Sequence, residues 1–235
     1  MASDPAAATP RSTPPPSGRT QILRAALEEF ASFGLDGAST VRIAKNAGVT
    51  QPLIHHHFGT KLDLWKASVD EAFGEFEAVH GPLLDALAGL DAATRVRIVM
   101  RHLVLYTTRR PELLRILVRE SSRDDEPIRY AIDKHIRPLA MRVGLMIDEA
   151  VTGGEVRSLD MRLVAMLGMG AASYLALVPV QAKQLFKIDV TDPTIAERYA
   201  DLVVDVLLNG VKRPETSASE DNISGVVPKA RRRSA

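Results

Sequence analysis

Helical periodicity runs through almost the whole chain, and no other property restricts the fold so strongly. Between a Pro-, Ala-, Ser- and Thr-rich start and a polar tail, apolar residues recur at helical spacing, and Pro and Gly fall at plausible joints. No long alternating pattern of the kind a half-buried strand requires is present. The expectation is an all-α fold of about nine or ten helices. Ile22, Leu23, Ala26, Leu27, Phe30 and Phe33 form the stripe of a first helix starting near Thr20, which Gly34 ends. Short helices follow at Thr40–Ala47 and Gln51–His57. A fourth begins at Thr60 and Asp63, which have capping-box spacing, and is predicted to stop at "HGP", residues 80–82. Six more are predicted at 83–90, 92–108, 111–122, 127–152, 159–181 and 193–212. Pro111, Pro127 and Pro193 suit first-turn positions, Asp192 suits an N-cap, and "TGGE" (152–155) reads as a flexible break.

Composition narrows the function. A chain of 235 residues, 46% hydrophobic and 25% charged, can build a substantial core. The net charge of +1 advertises no global affinity for nucleic acid or membrane, although a local patch is still open. There is no cysteine, which removes disulfides, thiolate metal sites and thiol nucleophiles, and suits a reducing cytoplasm. Residues 1–17 lack the apolar core of a signal peptide and read as a disordered tail. Residues 214–235 read the same way, ending in Lys229, Arg231, Arg232 and Arg233, a solvated cluster or a weak phosphate contact. Residues 163–182 carry no charge over a length that could cross a bilayer. Gly168, Gly170, Ser173, Pro179 and Gln181, without flanking basic clusters, favour instead a buried helix that another helix, of the same or a second subunit, approaches closely. No membrane partner is expected.

The functional signal lies in residues 40–58. Counting Thr40 as the first position, Ala44 is fifth, Gly48 ninth and Ile54 fifteenth, which is the spacing of a helix-turn-helix. A steep helix crossing needs a small residue, which Ala44 supplies, and the tight turn needs a positive φ, which Gly48 adopts without strain. Ile43, Ala47, Val49 and Ile54 would fill the wedge against the first helix, and Thr50 would cap the second helix of the pair. No Asp or Glu occurs from Gly37 to Leu62, whereas Arg42, Lys45 and Lys61 do, so that surface suits phosphates. His55, His56 and His57 do not read as a metal site. Consecutive helical side chains diverge by about 100°, and no carboxylate or i, i+4 histidine completes a set. His55 and His56 are instead free to donate to a phosphate or base edge, while His57 is expected to pack near Phe58 and the fourth helix.

The stretch "STVRIAKNAGVTQPLIHHHFGTKLDLW", with "ILRAALEEFASFGLDGAST" before it and "HHFGTK" closing it, resembles the N-terminal domain of the tetracycline-repressor (TetR) family of bacterial regulators, from about Thr20 to Phe76. The resemblance implies a three-helix DNA-binding domain over 18–64, a connecting helix over 61–80, and a larger helical ligand-binding and dimerisation domain over 82–213. By position it places Gln51, Pro52, Leu53 and His56 nearest base edges, and Thr40, Arg42, Thr50, His55 and Lys61 nearest phosphates, with Lys45 a further candidate. His55 stands where family members commonly have an aromatic residue, which adds an imidazole charge to that contact. Gln can pair with adenine, and Pro52 and Leu53 could meet thymine methyls.

In residues 82–213 the polar groups inside apolar helices, His102, Tyr106, Arg119, Glu120, His135 and Tyr174, are candidates for a ligand pocket. Met146 and Met166, with Met100, Met141 and Met169, are candidates for an adaptable wall; ordinary core or surface roles stay open for all of them. Tyr199, Leu202, Val203, Val206, Leu207 and Val211 are predicted to share one stripe, so that the last two helices could form a four-helix interface in a homodimer. Such a dimer would present two heads to a palindromic operator in double-stranded DNA, in successive major grooves about 34 Å apart. The expected function is a ligand-released repressor answering to a small-molecule effector. The alternative is a DNA-binding regulator without small-molecule response, governed by a partner protein or by abundance. No cofactor is expected, and no phosphate loop, metalloprotease motif or Gly-x-Ser-x-Gly elbow supports an enzyme.

Overall fold

A computed structural model describes residues 18–154 and 159–211. Both predicted tails, with the Lys229–Arg233 cluster and Glu155 of the predicted break, lie outside the described residues. Within them every regular element is helical. They are α1 (Gly18–Gly37), α2 (Thr40–Ala47), α3 (Gln51–Phe58), α4 (Lys61–Ala86), α5 (Ala92–Arg109), α6 (Pro111–Glu120), α7 (Glu126–Ala131), a π turn (Ile132–Ile136), α8 (Arg137–Thr152), α9 (Met161–Leu177), α10 (Pro179–Phe186) and α11 (Pro193–Val211).

The boundaries depart from the sequence reading in three places. Helix α4 does not stop at residues 80–82 but carries Pro82 inside it, so the predicted helix 83–90 is largely its last turn. A proline removes one N–H and strains one turn. Anchors on both sides outweigh that here: His80 stacks on Phe76 (ring centroids 4.0 Å apart) before it, and Leu87 is buried after it. The predicted helix 127–152 is divided by the π turn, where the Arg137 N–H bonds to Ile132 O. The predicted helix 159–181 ends at Leu177, because Pro179 disfavours helical geometry at Val178 (φ −121°, ψ 48°). The chain bends there by 77° into α10. Among the described residues no single helix is long and apolar enough to cross a membrane.

Two apolar clusters organise the chain. In the first, Ile22, Leu23, Ala26 and Phe30 of α1 meet Ile43 of α2, Ile54 and Phe58 of α3, and Leu64, Trp65 and Val69 of α4. Leu113 and Ile116 of α6 and Ala131 of α7 join the same cluster. Burying Trp65 and Phe30, both fully enclosed, contributes on the order of 2–3 kcal/mol each. Phe33 falls outside the predicted stripe; it is half exposed beneath the Arg42 guanidinium. The second cluster joins Val104 and Leu105 of α5, Ala172 of α9, and Ala196, Ala200 and Val203 of α11. The predicted single stripe of α11 is in fact two faces: Val203 turns inward, whereas Leu202 and Val206 are exposed. The side chain of Val211 lies outside the described residues.

Candidate functional site

The reading head is built from α1 to α4. Helix α2 starts at Ser39, whose side chain accepts from Arg42 N, and ends at Gly48 in the left-handed region (φ 68°, ψ 29°). The Val49 N–H bonds back to Ala44 O at 3.0 Å, and Ile43, Ala44, Ala47 and Ile54 close the wedge against α1. Thr50 begins α3 in extended geometry, but its hydroxyl makes no cap bond, contrary to expectation. An N-cap oxygen needs the N–H of the second or third helical residue. The second here is Pro52, which has none, and the Leu53 N–H is taken by Thr50 O at 3.1 Å. At its other end α3 passes through Gly59 into Thr60, which forms with Asp63 the capping box that opens α4.

Thr50, Pro52, His55, His56 and His57 are exposed on α3, with Gln51 and Leu53 half-buried beside them. Gln51 Nε2 donates to Thr40 Oγ1 at 3.1 Å, which ties the start of α3 to the start of α2. The His55 ring Nδ1 lies 3.0 Å from Gly59 O. His57 is exposed rather than packed on α4, its ring 5.9 Å from that of Phe58. Lys45 projects from the exposed side of α2. Among the described residues no group of three or more His, Asp or Glu could hold a metal ion.

Two of the sequence-predicted phosphate contacts are engaged by groups of the protein itself. Arg42 pairs with Glu29, its Nη2 2.6 Å and its Nε 2.8 Å from Oε1, and donates to Gly37 O at 2.9 Å. The Glu29 side chain is only 3% exposed and also accepts from Ser39 N at 2.9 Å. A buried carboxylate must be paired, and Arg42, itself half exposed, supplies the pair. Lys61 Nζ donates to Asp36 O (3.1 Å) and Ala38 O (3.3 Å), bracing the α1–α2 loop. Sequence reading missed Glu29, whose place on the apolar side of α1 was the available signal. It also missed Arg19, an exposed cation 5.6 Å from the Phe58 ring at the end of α3.

A cavity of about 470 Å³ opens between α5, α8, α9 and α11. Val96, Val99, Leu103, Val143, Ile147 and Val164 represent its walls, and Asp148 and Arg162 are its charged lining residues, both exposed. Of the predicted ligand residues only Met146 lines it, joined by Met100 and Met169 from the methionine set. His102 and Tyr106 belong instead to an aromatic group with Phe76 and His80. Arg119 and Glu120 clasp the kink of α1: Leu35 N donates to Glu120 Oε1 at 3.1 Å, and Gly34 lies against Arg119. His135 is held by Asp70 on α4. Met141, Met166 and Tyr174 are exposed. The polar residues were drawn elsewhere by available partners, which leaves the cavity to plain aliphatic side chains.

A glycine-hinged helix pair with an exposed, acid-free second helix, carried on a helical body, defines a DNA-binding transcription regulator. Residues 22–67 match the sequence profile of bacterial regulatory proteins of the tetR family, and residues 94–217 that of the tetracyclin repressor-like C-terminal domain. The chain belongs to the TetR family. It is 41% identical over 54 residues to the HTH-type transcriptional regulator BetI 1 of Chromohalobacter salexigens, covering 23% of this chain and 27% of that protein. It is 30% identical over 92 residues to the HTH-type transcriptional repressor KstR2 of Rhodococcus jostii, covering 34% and 45%. The chain thus spans less than half the length of these two curated relatives. Its fold resembles FadR from Bacillus subtilis in complex with stearoyl-CoA (TM-score 0.64, 21% identity, 81% of this chain and 98% of that one). It also resembles AibR in complex with isovaleryl coenzyme A and operator DNA (TM-score 0.67, 21% identity, 82% and 98%).

Proposed function

We propose that the chain is a cytoplasmic homodimeric repressor that leaves its operator when an apolar effector enters the cavity between α5, α8, α9 and α11. The cavity is the observation that carries this reading. Its volume lies within the range of small-molecule sites, and its wall offers almost no polar partner. A buried polar group without a partner is costly, so the effector's body is a hydrocarbon chain or ring system. Any charged end stays at the rim, where the exposed Arg162 side chain pairs with Asp160. The acyl thioesters bound by FadR and AibR have this form.

Residues 18–64 act as the head, with Gln51, Pro52, Leu53 and His56 toward base edges, and Thr40, Lys45, Thr50 and His55 toward phosphates. Arg42 and Lys61 brace the head. The exposed Leu163, Met166, Leu167 and Tyr174 of α9, with Leu202 and Val206 of α11, supply an apolar face for a second copy. The division into that head, a connecting helix over 61–80 and an effector and dimer body over 82–213 rests on the same reading.

The test begins with genomic fragments selected on the purified chain, which define the half-site and its spacing. Palmitoyl-CoA is then titrated against the bound complex, with free coenzyme A as control. Release by palmitoyl-CoA alone is expected, and by linkage the operator must weaken palmitoyl-CoA binding by the same factor. Tight palmitoyl-CoA binding that leaves operator affinity untouched would refute effector control.

A further inference from the structure

The π turn between α7 and α8 touches both the cavity and the head. Ile136, its last residue, lines the cavity and packs against the apolar cluster of the head. His135, its neighbour, stacks on Phe73 of α4 with ring centroids 4.4 Å apart and planes 5° from parallel. The same imidazole places Nε2 2.7 Å from Asp70 Oδ1. Asp70 also accepts from Tyr130 OH, at 2.9 Å and 2.8 Å to its two oxygens, and from Lys134 Nζ at 2.8 Å. One carboxylate of α4 therefore gathers three donors, all from the end of α7 and the π turn.

We propose that Asp70 is the positioning residue through which cavity occupancy reaches the reading head, with the π turn as the moving part. This rests on the cavity being the effector site. A π turn closes i→i+5 bonds and holds one residue more than the α-helical turn it replaces. Its conversion to α-helical register turns the residues on one side by about 100° relative to the other. A body lodged against Ile136 and Val143 presses on the segment where that conversion occurs. In the shifted register Tyr130, Lys134 and His135 cannot all reach Asp70, because hydrogen bonds tolerate only a few tenths of an ångström. Helix α4 then loses the three-donor attachment at Asp70, while its pairs Lys66–Glu126, Glu75–Arg110 and Glu77–Arg142 are separate contacts to the body. It begins at the capping box directly after α3, so its seating sets the position of the recognition helix.

The test is a mutant cycle on the full chain, using a genomic fragment selected by the unaltered protein. Val143→Phe serves as a built-in occupant of the cavity and palmitoyl-CoA as the added one. Each is measured with and without Asp70→Asn, a change of nearly equal shape. Val143→Phe is expected to weaken DNA binding about tenfold when Asp70 is present and less than about twofold in the Asp70→Asn background, a coupling within the usual allosteric range. Palmitoyl-CoA should show the same pattern, while calorimetry on the free chains shows it binding Asp70→Asn at least as tightly as the unaltered chain, since the Asp70 attachment no longer has to be broken. Should Asp70→Asn fail to fold by circular dichroism, His135→Gln takes its place. Equal weakening with and without Asp70, or no weakening by Val143→Phe in the unaltered background, overturns the proposal. If palmitoyl-CoA binds neither chain, the effector reading fails, while the Val143→Phe cycle still decides the role of Asp70.

Discussion

Replacing Arg42 with Gln separates two roles that one arginine on a helix-turn-helix can have. As a surface phosphate ligand it would contribute little to folding, since exposed substitutions usually lie within about 0.5 kcal/mol of neutral. It would also contribute about 0.9 to the slope of log affinity against log salt. The structure assigns it the other role. Glu29, 3% exposed, faces Arg42 at 2.6 Å, and without it retains, among the described residues, Ser39 N as its partner. Breaking a buried pair costs about 3–5 kcal/mol when the survivor stays buried. Arg42 is itself 49% exposed, so water can replace part of it, and about 2 kcal/mol is the better figure. Loss of its stacking over Phe33, 4.5 Å away, adds about 0.5 kcal/mol.

Urea denaturation of Arg42→Gln should therefore show a loss of about 2–3 kcal/mol. Lys45→Gln, on the exposed side of the same helix, should lose less than about 0.5 kcal/mol. The salt dependence of fragment binding should reverse the order. Lys45→Gln should flatten the slope by about 0.9, whereas Arg42→Gln lowers affinity with the slope unchanged. A double cycle with Glu29→Gln should return a coupling of about 1 kcal/mol or more. Full stability of Arg42→Gln together with a flattened slope would refute the brace and restore Arg42 as a phosphate ligand.

Four further outcomes are expected. Gln51→Ala and His56→Ala should each lose about 1–3 kcal/mol of discrimination at one half-site position, read by repeating fragment selection with each variant. Gly34→Ala should destabilise by about 1–3 kcal/mol, because φ is +71° and the added Cβ would lie 2.8 Å from Arg119 Cδ. Gly144→Ala, inside α8 with nothing within 4 Å of its Cβ, should stabilise by about 0.5–1 kcal/mol in the same assay. Acid should loosen the attachment of α4. Burial pushes the Asp70 carboxyl up, but bonds from Lys134, His135 and Tyr130 outweigh it and hold it below the ordinary aspartate value. Its stabilising contribution is complete above about pH 4 and is lost as pH falls through the lower folded value. Urea midpoints of the native chain between pH 6 and 3 should fall more steeply than those of Asp70→Asn.

Local rules carried the reading furthest in the head. Gly48 ends α2 with a positive φ, and Thr60 and Asp63 close a capping box; each depends on residues a few positions apart. What the sequence left open depended on distant partners. Whether Arg42 faces DNA or protein turns on Glu29, thirteen residues away across a loop. Whether His135 meets a ligand or α4 turns on Asp70, sixty-five residues away. Helical period predicts a helix through Pro179, where the chain breaks at Val178, and a stop at Pro82, where packing on both flanks overrode one lost hydrogen bond. The cavity was illegible for a related reason. Its lining has the composition of an ordinary core, and an unfilled space arises from how four helices diverge, which no single helix records.

Two of the contacts between head and body differ in kind, and that difference bears on how the head can move. Leu113, Ile116 and Ala131 pack into the cluster of α1–α4. Apolar contact is non-directional, so it survives small sliding and can serve as a pivot. The attachment at Asp70 consists of bonds of 2.7–2.9 Å to three side chains. Such bonds weaken steeply with distance and angle, so this contact is either made or broken. A pivot beside a latch permits rotation of the head without separation from the body. In the proposed dimer the useful displacement is small, since two heads on one rigid duplex must keep their spacing to within a few ångströms. An effector that opens only the latch therefore needs to do no more than change the seating of α4, leaving the buried core of the head intact.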